Sequence, residues 1–296
     1  MKLAVTGASG LIGSALVPAL REAGHAVVPL VRRSPTADEV HWDPATGSID
    51  ADALEGVDAI VHLAGETIGQ RWTAATRERV LRSRVDGTAL LARTAVGLAR
   101  PPQALICASA IGYYGNRGDE LLSESSNRGA GFLADVVDAW EAAAQPARDA
   151  GIRVVQLRQG LVLSREGGAL QRLLLPFGLG LGGRVGNGRQ WWSWVSIQDT
   201  VRAYLVALAG DLDGPVNVTA PGTVTNRDFT KALGRALRRP TVVPLPAPAV
   251  KLAFGQMGVE MLLGGQRVEP RKLVDAGFDF AHEDIDAGIA AALTRG

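Results

Sequence analysis

The sequence predicts an α/β protein built on a doubly wound parallel sheet, with a smaller C-terminal α/β lobe. Three observations predict it. The apolar run Leu3-Ala4-Val5 opens the chain and leads into Thr6-Gly-Ala-Ser-Gly-Leu-Ile-Gly13. Strand and helix patterns then alternate to about residue 164, the rhythm of a parallel sheet with helical crossovers. The chain has 296 residues, 47% of them hydrophobic, enough for one large domain with a smaller lobe.

The first strand ends in a glycine turn. Gly7 permits the turn, Gly10 lets a pyrophosphate approach the backbone, and Gly13 lets the next helix pack close to the strand. The amphipathic run Leu11-Ile12, Leu16-Val17, Leu20 predicts that helix. Its N-terminus offers free N–H groups and a positive dipole end, so Gly7, Ser9, Gly10, Leu11, Ile12 and Gly13 are the expected phosphate contacts of a Rossmann-type dinucleotide site. A plain tight turn is the simpler alternative.

Further strands are expected over residues 26–31, 58–63, 104–108 and 152–157, with a short one at His41-Trp42-Asp43-Pro44. A long helix is expected over 74–98, ending before Pro101-Pro102, and another over 131–150, closed by Gly151. Beyond residue 164 glycine-rich loops surround short elements. A helix over 199–208 with Asp199 as N-cap, a strand over 215–219 and a helix over 226–237 follow. Residues 240–248 read as an extended, proline-rich passage before a small helical tail. The expected division is a nucleotide-binding domain over 1–164, its sheet completed by elements near 195–220, and a mainly substrate-holding lobe over 165–296.

Composition narrows the function. A net charge of +1 argues against nucleic acid or a polybasic membrane surface, and no apolar run reaches membrane-spanning length. The single cysteine, Cys107, lies in an apolar strand and reads as a buried thiol. With the chain entering a strand at once, the expectation is a cytoplasmic protein without a signal peptide. The four histidines lack ligand spacing, so no metal site is expected.

The dinucleotide can be chosen from the second strand, which ends Leu30-Val31-Arg32-Arg33-Ser34 with no adjacent carboxylate. An acidic residue there would bind ribose hydroxyls; a guanidinium pairs instead with a 2′-phosphate and stacks on adenine. Arg32 and Arg33 therefore favour NADP(H) over NAD(H). Solvated surface arginines are the alternative.

Together with the glycine turn, His62-Leu-Ala-Gly-Glu66, Ser83-Arg84-Val85 and Tyr113-Tyr114-Gly115 resemble the extended short-chain dehydrogenase/reductase superfamily. The chain is similar above all to the epimerase-like branch labelled nucleoside-diphosphate-sugar epimerase or cell-division-inhibitor-type protein. That branch's C-terminal signature stands here as Met261-Leu-Leu-Gly-Gly-Gln-Arg-Val-Glu-Pro270 and Leu273-Val-Asp-Ala-Gly-Phe278, within a segment of about 245–293. The resemblance covers essentially the whole chain. It implies an NADP(H) domain with a small lobe for a small-molecule substrate. It puts Leu63, Ala64 and Gly65 along the cofactor, gives Arg84 the cofactor phosphates or a bound anion, and brings Gln159 or Gly160 to the nicotinamide end. Dimers are common in the superfamily, so a homodimer is admitted.

The usual chemistry of these proteins needs a tyrosine and, four residues on, a lysine on the same helical face. The phenol moves the proton and the ammonium stabilises the phenolate. Setting Glu141 against the acidic residue that commonly follows the pair puts Leu133 and Val137 at those positions, and no lysine lies between Lys2 and Lys231. Alignment on Tyr114-Gly115 puts Ala110 at the usual serine, leaving Ser109 to face the nicotinamide or to close a strand end.

Glu66, Tyr113 and Ser109 remain as the candidate catalytic residues. Glu66 and Tyr113, with Trp72, Trp191 and Trp192, would line the substrate pocket, although core packing accounts equally for tryptophans, and for Trp194 above all. Two readings stay open: an oxidoreductase or epimerase-like enzyme of non-standard mechanism, and a non-catalytic NADP(H)-binding redox sensor or partner-binding protein.

Overall fold

The central strand β1 (Lys2–Thr6) turns Leu3 and Val5 into one apolar layer and Ala4 into the opposite one, as a period of two dictates. α1 (Leu11–Glu22) covers the first layer with Leu16, Val17 and Leu20. β2 (Ala26–Val31), β3 (Val40–Asp43) and β4 (Ser48–Ile49) build the sheet outward on one side of β1. The chain then crosses to the other side with β5 (Ala59–His62), α2 (Ala74–Gly97) and β6 (Ala104–Ala110). α2 starts where Thr73 accepts the Thr76 N–H, an N-cap. This computed structural model describes residues 1–294, so the end of the expected 165–296 lobe lies outside the described residues.

After a 3₁₀ turn at Ile111–Tyr114 come β7 (Leu121–Leu122), α3 (Phe132–Ala142), α4 (Gln145–Asp149), β8 (Arg153–Gln159) and β9 (Leu161–Leu163). The single helix expected over 131–150 is therefore two. Pro146, at the start of α4, has no N–H for the carbonyl one turn back, and a continuous helix cannot absorb that.

The remainder comprises α5 (Gly168–Gly178), β10 (Trp191–Trp192), β11 (Trp194–Ser196), α6 (Ile197–Ala209), β12 (Gly214–Val218), β13 (Val224–Thr225) and α7 (Asn226–Leu237). α8 (Ala247–Gly258), β14 (Arg267–Val268), α9 (Arg271–Asp275) and α10 (Ile285–Leu293) complete it. The N-cap of α6 is Ser196, not Asp199: Ser196 accepts the Asp199 N–H at 3.0 Å and donates to its carboxylate at 2.8 Å. Asp199 instead anchors the C-terminal segment, accepting the N–H groups of Ala281 and His282. The proline-rich passage ends at Pro246, where α8 begins.

The main sheet has eight strands in the order β12-β8-β6-β5-β1-β2-β3-β4. Neighbours run parallel except β3 and β4. Of the elements near 195–220 only β12 joins it. β11 pairs with β9 in a separate ladder. The strand order reverses between β1 and β5, and a ligand crevice opens at the carboxyl ends of strands at such a point. Cys107 is buried in β6, and burial pushes its thiol up to about 12. No helix among the described residues is long and apolar enough to cross a membrane.

Candidate cofactor and active site

The glycine turn occupies that crevice. Gly7 has φ +67°, and a Cβ there would lie 2.8 Å from the Ala64 N atom. A Cβ on Gly13 would lie 2.2 Å from the Gly7 carbonyl oxygen. Both glycines are therefore demanded by backbone approaching backbone. α1 begins after Gly10 with no side-chain cap, so its first N–H groups are free to meet an anion. These features fit a dinucleotide phosphate.

Thr6 ties the turn to β5. Its hydroxyl oxygen accepts the N–H groups of Leu63 (3.1 Å) and Ala64 (3.3 Å) and lies 2.7 Å from His62 Nδ1. With its oxygen accepting twice, the Thr6 hydroxyl donates to Nδ1, and His62 carries its own proton on Nε2. Burial first, and the Arg84 charge second, push His62 down to about 3, so the ring is neutral. Leu63, Ala64 and Gly65 thus stand beside Gly7, as expected for a shared lining.

Arg32 is exposed at the end of β2. Arg33 is exposed too but engages Glu39 at 2.6 Å, so the pair is not an equivalent pair of free cations. Gln159 donates its amide to the Tyr204 hydroxyl at 2.6 Å, which turns its side chain into the core. A Cβ on Gly160 would lie 2.5 Å from the Ser193 carbonyl oxygen.

The candidate catalytic residues are less free than the sequence suggested. Ser109 is buried and donates to Glu141 Oε1 at 2.6 Å. Glu141 holds Arg158 in a two-pronged pair at 2.8 and 2.7 Å. Arg158 also donates to the Tyr114 hydroxyl and lies 3.6 Å from the centre of the Tyr113 ring. Burial opposes the Arg158 charge, but the Glu141 contacts outweigh it and raise its pKa. Glu66 accepts from Gln70 at 3.0 Å, and its N–H donates to Ser83. Leu133 and Val137 face Gly112: a Cβ there would lie 3.3 Å from Leu133 Cβ and 3.8 Å from Val137 Cγ2. The tyrosine–lysine positions are filled by an apolar contact.

The tryptophans do not form one wall. Trp72 packs on Phe132 beside α3, and Trp192 packs on Phe229 in the lobe core. Trp191 donates to Asp119 at 2.7 Å and lies under Arg267. Trp194 is fully buried. An open cavity of about 320 Å³ is instead lined by Asn116, Asn187, Gln190, Ala247 and Lys251, among others. The sequence analysis missed it because its walls come from segments more than a hundred residues apart.

Also missed was Glu260. α3 has no side-chain cap of its own, and its preceding Gly131 has φ +115°. The Glu260 carboxylate accepts the Phe132 and Leu133 N–H groups at 3.2 and 3.0 Å, and Gln256 donates to it at 2.8 Å. Glu260→Ala is expected to lower stability by about 1–2 kcal/mol, the usual worth of a cap plus its charge at a helix N-terminus. The denaturation midpoint checks this, with faster hydrogen exchange at 132–135 as the local sign.

Comparison with known proteins places these features in a wider group. Residues 3–219 match the NAD dependent epimerase/dehydratase family, and residues 245–292 match a domain of unknown function, DUF1731. The chain is 47% identical over 298 residues to the epimerase family protein Mb2239 of Mycobacterium bovis, covering 99% of this chain and 98% of that one. The crystal structure of human epimerase family protein SDR39U1 with NADPH superposes with a TM-score of 0.90 at 36% identity, covering 99% of each chain. A nucleoside-diphosphate sugar epimerase structure from Corynebacterium glutamicum gives 0.83 at 37% identity, over 99% of this chain and 58% of that one.

Proposed function

Because the chain belongs to the NAD dependent epimerase/dehydratase family, we propose that it binds NADP(H) in the crevice between β1 and β5 and acts as an epimerase-like oxidoreductase on a small molecule. One observation carries the reading. The Gly7–Gly13 turn is packed so closely on Leu63 and Ala64 that side chains are excluded, and it leaves the N-terminus of α1 uncapped beside them. Gly7, Ser9, Gly10, Leu11, Ile12 and Gly13 would hold the pyrophosphate. Leu63, Ala64 and Gly65 would line the nicotinamide side, with the backbone of Gln159 and Gly160. The NADPH in the human relative's structure supports the choice of dinucleotide. So does Arg32, an exposed cation without a carboxylate beside it in sequence.

Bound NADP(H) supplies or accepts a hydride. The chain must then handle a proton on the substrate oxygen, and Glu66 and Tyr113 are the groups proposed for it. Ser109, held by Glu141, is proposed to orient that region. Residues 165–296, including the 245–293 segment, are proposed to hold most of the substrate, with Trp72 and Trp191 at its margins.

Arg32→Ala is expected to weaken NADPH binding about tenfold, the worth of one charge-assisted hydrogen bond, and to change NADH binding less than twofold. Fluorescence titration of both cofactors measures this. Equal loss for both would remove the 2′-phosphate assignment. Turnover of NADPH against a carbonyl panel tests catalysis.

A second reading is favoured by the Leu133 and Val137 contact with Gly112. It makes the protein a non-catalytic NADP(H) sensor or partner-binding protein. Tight binding without turnover would select it.

A further inference from the structure

Arg84, on α2, is a cation held in place without a carboxylate partner. Its Nη1 donates to two backbone carbonyls, Glu66 at 3.0 Å and Val80 at 3.1 Å. The Trp140 ring of α3 lies 5.1 Å from its Cζ. The ion pairs of α2 and α3 run through Arg82, Arg128 and Arg158 instead. Nε and Nη2 donate to nothing among the described residues, yet neither is sealed from solvent. Burial lowers the Arg84 pKa to about 10, and the Glu66 charge opposes that fall, so the group stays charged at neutral pH. Its neighbour His62 stays neutral and does not compete for an anion.

The opening above this cation is Gly65. That residue is exposed. A Cβ on it would lie 3.3 Å from Arg84 Cζ, 3.4 Å from Nη2 and 3.5 Å from Nη1. The guanidinium is thus the floor beneath an exposed glycine, and any side chain at position 65 would cover it. Gly65 follows Leu63 and Ala64, whose N–H groups are tied to Thr6 at the mouth of the glycine turn. Across the cleft, α3 offers Leu133 and Val137, which carry no charge.

We propose that Arg84 is the cation of the cofactor cleft, binding across Gly65 an oxyanion or hydroxyl pair on the nicotinamide half of the dinucleotide, the place that Val137 leaves without a lysine. This rests on the NADP(H) reading. A guanidinium presents two N–H groups in a fixed plane, which suits a phosphate or a vicinal diol better than a flexible ammonium. Because Nη1 is already bound by two carbonyls, the fork is set before the ligand arrives.

The test compares two ligands on the full chain, NADPH and 2′,5′-ADP, which lacks the nicotinamide half. Arg84→Met is expected to weaken NADPH binding about tenfold or more and 2′,5′-ADP binding less than twofold. Gly65→Ala, which removes no charge, is expected to act in the same direction. Arg84→Lys should fall between wild type and Arg84→Met. Thermal melts confirm folding, and where Arg84→Met does not fold, Gly65→Ala carries the comparison. Unchanged NADPH affinity, or equal losses for the two ligands, overturns the proposal. If the wild type binds neither ligand, the NADP(H) reading itself fails.

Discussion

Gly13→Ala is expected to abolish NADPH binding and to lower stability by about 3 kcal/mol, the upper range for forcing a methyl group into filled space. The added Cβ would lie 2.2 Å from the Gly7 carbonyl oxygen, 2.7 Å from Ala8 Cα and 2.8 Å from the Ala8 carbonyl carbon. These obstacles are backbone, and no rotamer change moves them aside. Relief requires α1 to slide away from the turn, and the turn is where the pyrophosphate is proposed to sit. Stability and binding should therefore fall together. Gly97→Ala is the control, because a Cβ there meets nothing within 4 Å and the residue has ordinary φ. Urea denaturation and NADPH titration of the two variants give the result. A Gly13→Ala protein with wild-type affinity would remove the turn from the site.

The same contacts explain why the first half of the fold was readable. Gly7 and Gly13 act within a few residues of their own element, and the apolar runs of β1, β2 and β5 are short and bounded by turns. β2 and α7 have the expected boundaries. What escaped the sequence acts at long range or depends on fine local competition. Glu260 caps a helix that begins 128 residues earlier, and no periodicity signals such a contact. Ser196 and Asp199 are both good N-cap residues, and they share one reciprocal hydrogen-bond pattern. Only the backbone shows which is the cap. Pro146 was visible, but a proline in the first turn of a new helix and a proline in a kinked helix look alike in one sequence. The candidate catalytic residues were chosen by chemistry, and the structure shows their present partners. Ser109 was singled out; the Glu141 that holds it served only as a marker of register.

That carboxylate leads to the other large effect. Arg158→Met is expected to destabilise the protein by about 3–5 kcal/mol, the range for removing one partner of a buried ion pair. The side chain of Arg158 is 3% exposed and that of Glu141 11%, so water cannot replace the lost partner. Without Arg158, Glu141 keeps only the Ser109 hydroxyl on its carboxylate. The Tyr114 hydroxyl loses a donor, though it still donates to Asn217. Glu141→Leu should be comparably severe, because it leaves a guanidinium among apolar neighbours. The Glu141→Leu, Arg158→Met double variant should be markedly more stable than the sum of the two losses predicts, since neither charge then lies uncompensated. A double-mutant cycle in urea measures the coupling, and additive losses would mean that the pair is not one unit. The pair also links structure to function. Glu141 stands on α3, Ser109 on β6 and Arg158 on β8, and Tyr113 rests on the Arg158 guanidinium. Two of the three proposed catalytic side chains are thus positioned by a single ion pair. If Tyr113 moves the proton, the double variant should fold yet lose turnover while keeping NADPH. If Glu66 moves it, turnover should survive, because the contacts of Glu66 with Ser83, Gln70 and Arg84 do not pass through that pair.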